Sequence, residues 1–314
     1  MAAGRTGSRR GRTALDLVVV GSVGIDTVAT PAARREEVLG GSCPYACVAA
    51  ALLARAGMVG VVGDDFPRPF RALYQQAGVD LDGLQVAPGR TFRWEGVYQA
   101  NMDSRHTLRT ELNVFADFRP ELPPAYRAVP LVLLANIAPE LQLHVINQIR
   151  RPRFVMVDTM DLWINTCNET LAEVIRHVDL LTVNESEALL WTGSHSLVQA
   201  ARTLIQAGPR FVIVKRGAAG AMLCDARRLA LVPAYPLGQV TDPTGAGDAF
   251  AGGFMGALAR EPRLDWNALR RALLVGAVTG SFACEGFSLE ALAQVTPPQL
   301  QQRARALHRM VALA

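Results

Sequence analysis

Short apolar runs alternate along the chain with longer stretches in which apolar residues recur every three or four positions. Such runs are typical of buried strands, and the stretches between them are typical of amphipathic helices. The predicted strands are 15–21, 59–65, 131–134, 154–158, 180–183, 210–214 and 229–233. The predicted helices are 46–56, 70–77, 140–150, 168–177, 185–192, 196–206, 266–284 and 298–312. This order predicts an α/β fold with a mostly parallel central sheet, covered by helices on both faces.

One region departs from this alternation of strands and helices. Residues 91–98 and 107–115 alternate apolar and polar positions and are separated by the polar stretch 101–106, a pattern that predicts a hairpin. The hairpin lies outside the strand–helix repeat and is therefore a candidate lid. We expect a small β lid formed by about 27–39 and 90–118.

Composition narrows the classes of protein. The chain has 314 residues, 50% of them hydrophobic, and a net charge of +4, which suits one large domain over 14–314. Residues 1–13 hold an arginine-rich cluster without an apolar core and are expected to form a disordered basic tail. The rest is nearly neutral, so we expect no nucleic-acid partner. No apolar run approaches the roughly 20 residues of a membrane span, so no membrane partner is expected.

The five cysteines are odd in number and lack C-x-x-C spacing. Reduced thiols are therefore expected, and with them a cytoplasmic location. Lys215 is the single lysine of the chain, so any chemistry that needs a lysine has one candidate.

A glycine-rich turn at 242–248 follows a predicted strand and opens a helix marked by Phe250, Phe254 and Leu258. The first backbone N–H groups of a helix lack intrahelical partners, and together with the helix dipole they favour an anion. Asp248 falls in the first helical turn. From this stretch alone, Asp248 is either a capping residue or a group that faces the bound anion.

Other polar residues follow predicted strands and should meet at one edge of the sheet. They are Asp26, Asp158, Asn184 with Glu187, and Lys215. Asn184 and Glu187 have the spacing of a capping box, but they also suit a site that holds a metal-bound phosphate through water. Residues 217–220 are either a hairpin turn or a surface for a nucleotide.

The order and spacing of these motifs resemble the ribokinase-like (PfkB) carbohydrate kinase family. In that family a Gly-Gly signature lies near the substrate, Asn-x-x-Glu follows a mid-chain strand, and Asp-x-x-Gly-Ala-Gly-Asp begins a helix. Here these correspond to Gly40-Gly41, 184–187 and 242–248, and the resemblance covers about 15–293.

The resemblance implies phosphoryl transfer from ATP to a hydroxymethyl group, with Mg²⁺ and, as a further candidate, K⁺. Asp248 would be the base, and Gly245, Ala246 and Gly247 would form the anion hole. The residues implied for nucleotide and Mg²⁺ are Asn184, Glu187 (through water), Lys215, Gly217 and Gly220. The candidate substrate-binding residues are Asp26, Gly41, Ser42, Tyr45, Asn101 and Asp158. Asp242 is the candidate ligand for a monovalent cation.

The Gly-Gly signature departs from many sugar kinases of the family, because Tyr45 stands where those chains have a substrate-binding Asn. A ribose-type substrate is therefore in question, and Tyr45 either stacks on a ring or fills space. The first hypothesis is a kinase of a sugar or sugar-like alcohol, and the alternative is a nucleoside kinase of the adenosine or inosine type. A non-catalytic sugar- or nucleotide-binding regulator is the alternative of another class. A homodimer through the lid is a further prediction.

Overall fold

The computed structural model describes residues 14–102 and 104–312, so the expected tail at 1–13 lies outside the described residues. The strands are β1 (Leu17–Val20), β2 (Gly24–Ala29), β3 (Arg34–Gly40), β4 (Ala56–Gly63), β5 (Asp80–Ala87), β6 (Phe92–Tyr98), β7 (Arg105–Glu111), β8 (Leu131–Leu134), β9 (Phe154–Asp158), β10 (Leu180–Asn184), β11 (Phe211–Lys215), β12 (Ala221–Cys224) and β13 (Leu229–Val232). The helices are α1 (Ser42–Ala51), α2 (Arg68–Gln76), α3 (Pro139–Ile146), α4 (Asp161–Thr166), α5 (Asn168–Arg176), α6 (Glu185–Thr192), α7 (Leu197–Gln206), α8 (Ala246–Ala259), α9 (Trp266–Ala283) and α10 (Pro297–Val311).

The central sheet has nine strands in the order β13-β12-β11-β10-β9-β8-β1-β4-β5. Strands from β11 to β5 run parallel, while β12 and β13 are antiparallel. Leu17 and Val19 of β1 point into one apolar cluster, and Val18 and Val20 point into the other. Because both faces are covered, a central strand can be apolar at every position. The predicted doubly covered, mostly parallel sheet is confirmed.

The strand order reverses beside β1. The chain first adds β4 and β5 on one side of β1 and later places β8 on its other side. In open α/β sheets, such a reversal places a crevice at the carboxyl ends of the strands. This crevice is where the polar strand-end residues meet.

A second sheet of four strands has the order β3-β2-β6-β7. The outer pairs are antiparallel and β2 pairs with β6 in parallel. It joins the hairpin that the alternation predicted to the segment before the Gly-Gly turn. One detail differs: Asp26 was expected after a strand of the main sheet but lies within β2 of the small sheet, opposite Trp94 of β6.

Several predicted boundaries were wrong. Helix α1 begins at Ser42 rather than Ala46 and ends at Ala51, because Pro44 is tolerated in a first turn and Ala56 already belongs to β4. The segment 80–87 forms a parallel edge strand of the main sheet. Helix α3 ends at Ile146, before the expected residue 150. In the described ranges, every helix is too short or too polar to cross a membrane.

Candidate active site

The amino end of α8 lies at the centre of the crevice. Gly245, the N-cap residue, has φ of 74°, and a Cβ there would overlap the ring of Tyr45. Glycine is therefore required both by the left-handed backbone and by the close approach of the aromatic ring. Ala246 and Gly247 begin the helix and Asp248 lies in its first turn. The predicted glycine-rich turn that opens a helix is confirmed.

Asp248 faces charged neighbours from three other elements, β7, β9 and β11. The pKa of its carboxyl is raised to about 7, first by burial and then by the Asp158 carboxylate, against the opposing effects of Lys215 and Arg105. A carboxyl with a pKa near neutrality holds a proton more readily than an exposed Asp, which suits a group that exchanges protons at physiological pH.

Asp158 and Lys215 form an ion pair beneath this helix end. The Lys215 Nζ lies 2.9 Å from Asp158 Oδ2 and 3.1 Å from Oδ1. The side chains are 18% and 5% exposed, so both charges are largely removed from water. Asp158 was expected at the substrate, and the structure places it against Lys215.

Asp26 lies across the crevice, on the face of the small sheet that looks toward α8. It is buried, and its Oδ1 atom has no hydrogen-bond partner among residues 14–102 and 104–312. Its pKa is raised to about 8 by burial and by the nearby Asp242 carboxylate, while the Gly41 N–H lowers it. A Cβ at Gly40 would overlap this carboxylate, so the Gly-Gly turn makes room for Asp26.

Two residues beside this turn are already occupied by protein contacts. The Ser42 hydroxyl donates to the Asn136 carbonyl oxygen at 3.3 Å and accepts the Ser22 N–H. Ser42 thereby joins the loops after β1 and β8. Tyr45 is 1% exposed, with its ring against Gly245. The burial of Tyr45 favours the interpretation that it fills space.

The small sheet contributes aromatic residues that the sequence did not single out. Trp94, which pairs with Asp26 of β2, and Tyr98, four residues further on, lie on the same face of β6. The Tyr98 hydroxyl lies 3.3 Å from Thr244 Oγ1, which joins the small sheet to the loop before α8. The guanidinium of Arg105 lies over the Trp94 ring, 5.7 Å from its centroid. The alternation of apolar and polar residues along β6 was the sequence signal that Trp94 and Tyr98 share one face.

A separate cavity of about 460 Å³ opens on the other side of α8's first turn. Gly217 and Gly220 border it, and so do Lys215 and Gly247. Residues 217–220 form the turn of the antiparallel hairpin β11–β12, so the hairpin interpretation is confirmed and the same turn lines the cavity. Asn101, which the sequence assigned to the substrate, reaches this cavity from the small sheet.

Asn184 and Glu187 form the predicted capping box. Asn184 Oδ1 accepts the Glu187 N–H at 2.8 Å, and Glu187 Oε2 accepts the Asn184 N–H at 2.7 Å. Burial raises the pKa of Glu187 to about 7, although Lys215 lowers it. Within the described part of the chain, no group of three or more metal-binding side chains comes together.

Asp242 lies buried in the loop before α8. Its carboxylate accepts the Thr244 N–H at 2.9 Å and the Ser288 N–H at 3.4 Å. The Ser288 hydroxyl in turn donates to the Leu39 carbonyl oxygen at 2.6 Å. Burial raises the pKa of Asp242. Its contacts order this loop, and its role as a cation ligand stays a prediction.

The fold and the arrangement around α8 define a small-molecule kinase of the ribokinase-like class. A family model described as pfkB family carbohydrate kinase matches residues 14–292, and the chain belongs to this family. The chain is 33% identical over 253 residues to a cytidine kinase of Thermococcus kodakarensis, covering 78% of this chain and 89% of that relative.

Solved structures share the fold. The nucleoside kinase of Burkholderia thailandensis, solved in complex with inosine, matches with a TM-score of 0.77 and 18% identity, covering 93% of this chain and 97% of that one. The aminoimidazole riboside kinase of Salmonella enterica, solved with aminoimidazole riboside and an ATP analog, matches with a TM-score of 0.73 and 22% identity over 92% and 99%. The ribokinase-like fold predicted from the motifs is confirmed.

Proposed function

We propose that this protein transfers the γ-phosphoryl group of ATP to the hydroxymethyl group of a nucleoside. The observation that carries the proposal is the placement of Asp248 in the first turn of α8, between the cavity beside Gly247 and the buried carboxylate of Asp26. A hydroxyl held by Asp26 and a phosphoryl group held at the helix end would meet at Asp248.

In this mechanism Asp248 accepts the proton of the attacking hydroxyl. The raised pKa of about 7 makes the Asp248 carboxylate a stronger base than an ordinary Asp, and above neutral pH it is still mostly ionised. Gly245 and Gly247 offer backbone N–H groups, with the positive end of the helix dipole, to the charge that develops on the transferred phosphoryl group. The Ala246 N–H donates to the Pro243 carbonyl oxygen at 3.1 Å and would be shared with the phosphoryl group. The proton ends on Asp248, and ADP leaves.

The cavity beside the β11–β12 turn fits the nucleotide. Gly217 and Gly220 border it at one side, and Tyr235 and Phe250 add aromatic surface. Asn184 and Glu187 are the residues that would orient Mg²⁺-bound water, and a bound Mg²⁺ would neutralise charge on the phosphates. Asp242 and its loop are the proposed neighbourhood of a monovalent cation such as K⁺.

We favour a nucleoside over a free sugar as the acceptor of the phosphoryl group. One relative matched over most of both chains, at 33% identity, is named a cytidine kinase, and the aromatic ring of Trp94 stands opposite Asp26 on the small sheet. A free sugar remains the second candidate, because Asp26 with Gly41 suits hydroxyl groups of either substrate. A binding regulator without catalysis has no use for a base at Asp248.

The test is a screen of nucleosides, sugars and sugar phosphates for ADP release with ATP and Mg²⁺. We expect cytidine or another nucleoside to give turnover, with a nucleoside 5′-monophosphate as the product. Turnover with sugars alone would favour the second candidate. Binding of a nucleoside and ATP without ADP release would favour the regulator.

A further inference from the structure

Lys215 ends strand β11 and turns inward rather than toward solvent. Its ammonium is held by both carboxylate oxygens of Asp158, at 2.9 and 3.1 Å. A long flexible side chain that is fixed at its charged end loses conformational entropy, so the position of the ammonium is specified by the fold.

The ammonium lies directly at the amino end of α8. Of the atoms around Gly247, Lys215 Nζ is the nearest to where a Cβ would stand, at 3.1 Å. Apart from the Ala246 N–H, which donates to the Pro243 carbonyl oxygen, the first backbone N–H groups of the helix face this same end, because such groups lack intrahelical partners. The single lysine of the chain and the helix end therefore converge on one point.

The charges around this point keep the ammonium positively charged. Burial lowers the pKa of Lys215, but the carboxylates of Asp158 and Glu187 outweigh burial and raise it, so the side chain stays charged. Asp158 occupies one side of Nζ, and the side toward Gly247 borders the nucleotide-sized cavity. An ammonium has three N–H donors, so it can keep Asp158 and still bind a phosphate oxygen.

We propose that Lys215 binds the γ-phosphoryl group that is transferred, with Asp158 as the positioning residue that aims its ammonium. This inference rests on the proposed function, which places the phosphates at α8. It assigns Lys215 to the reacting group and not to the base or ribose of the nucleotide. During transfer, one donor of the ammonium follows the phosphoryl oxygens while another stays on Asp158.

The experiment compares the dissociation constants of AMP, ADP and a non-hydrolysable ATP analogue, each measured by calorimetry with Mg²⁺. The main variant is the double substitution Lys215→Met with Asp158→Asn, because Lys215→Met alone leaves a buried carboxylate unpaired. Asp158→Asn alone is the matched control that keeps the lysine.

We expect the double variant to bind the ATP analogue about tenfold or more weakly than the control, since a hydrogen bond to a charged group is lost. Binding of ADP and AMP should change by less than about twofold. Turnover should fall about a hundredfold relative to the control, as when one donor to a developing oxyanion is removed.

An equal loss of affinity for all three nucleotides would overturn the proposal and return Lys215 to the base or ribose. An equal loss for ADP and the analogue, with AMP unchanged, would assign it to the β-phosphate and also contradict the proposal. Because no acceptor is present in these titrations, their outcome is separate from the acceptor screen. A wild-type protein that binds the analogue by way of Lys215 but phosphorylates no nucleoside would refute the proposed acceptor alone.

Discussion

Beneath the amino end of α8, Lys215 and Asp158 are paired before any ligand arrives, whereas on the side formed by the small sheet one oxygen of a buried carboxyl has no partner among residues 14–102 and 104–312. Lys215 is held by Asp158 at the helix end. Across the crevice, Asp26 Oδ1 finds no partner anywhere in the described ranges. The first arrangement suits chemistry, because prealigned charges need no reorganisation during the reaction.

The second arrangement suits selection of a substrate. A buried polar atom without a partner costs free energy, and a ligand that supplies the missing hydrogen bond recovers it. A ligand that lacks the hydroxyl leaves the atom unpaired and is rejected strongly. We infer that the helix side sets the reaction and the small sheet sets the acceptor.

Substitution of Asp248 is the most direct test of whether the α8 side sets the reaction. Asp248→Asn should lower kcat about a thousandfold, because the amide cannot accept the hydroxyl proton, while the affinity for ATP is retained. Steady-state kinetics with calorimetry of ATP binding would check this. Asp265→Asn is the control, since Asp265 is the N-cap residue of α9 and Asn caps a helix equally well. Turnover near that of the wild type would remove Asp248 as the base.

Asp26→Ala tests whether the small sheet sets the acceptor. It should raise the KM of the acceptor about a hundredfold, because a hydrogen bond to a buried carboxyl is lost, and leave the KM of ATP within about threefold. Initial rates at varied concentrations of each substrate give both constants. If both constants rise equally, Asp26 does not belong to the acceptor side.

Asp158→Asn should change the pH dependence of kcat. The Asp158 carboxylate raises the pKa of Asp248, so its removal lowers that pKa. Because the base acts when ionised, the acidic limb of the kcat profile should move to lower pH by about half a unit or more. A limb that moves to higher pH would mean that Asp158 stabilises the charged base.

Asp26→Asn should stabilise the folded protein at alkaline pH. The pKa of Asp26 is about 8 when folded and near 3.8 when unfolded, so the folded state binds more protons between these values. Stability therefore falls as the pH rises from about 4 to 8, and the neutral amide escapes this loss. At pH 8 we expect a melting temperature about 2 °C or more above the wild type. At pH 4 the difference should vanish, and an equal gain at both pH values would exclude titration of Asp26.

Tyr45→Phe should have the smallest effect. Tyr45 is almost wholly buried against Gly245, so the ring fills space and its hydroxyl adds little. The KM of the acceptor should change by less than about threefold. A tenfold rise would assign the Tyr45 hydroxyl to the acceptor.

Much of the fold could be predicted from the sequence, because the apolar runs of β1, β8 and β9 and the motifs at 184–187 and 242–248 depend on local patterns. Their meeting at one edge also followed, since parallel strands share an edge. What depended on distant contacts was missed. Nothing near Asp26 in sequence shows that it lies in a second sheet opposite Trp94, and nothing near Lys215 shows that Asp158, 57 residues earlier, holds its ammonium.

The contact of Ser288 with Leu39 bears on how the protein folds. The two residues are 249 positions apart in the chain, and Tyr98 and Thr244, which also close the site, are 146 apart. Contacts between such distant residues close large loops and form late relative to local structure. In refolding, enzymatic activity should therefore return after the helical signal, and truncation before Ser288 should abolish activity even where the central sheet still forms.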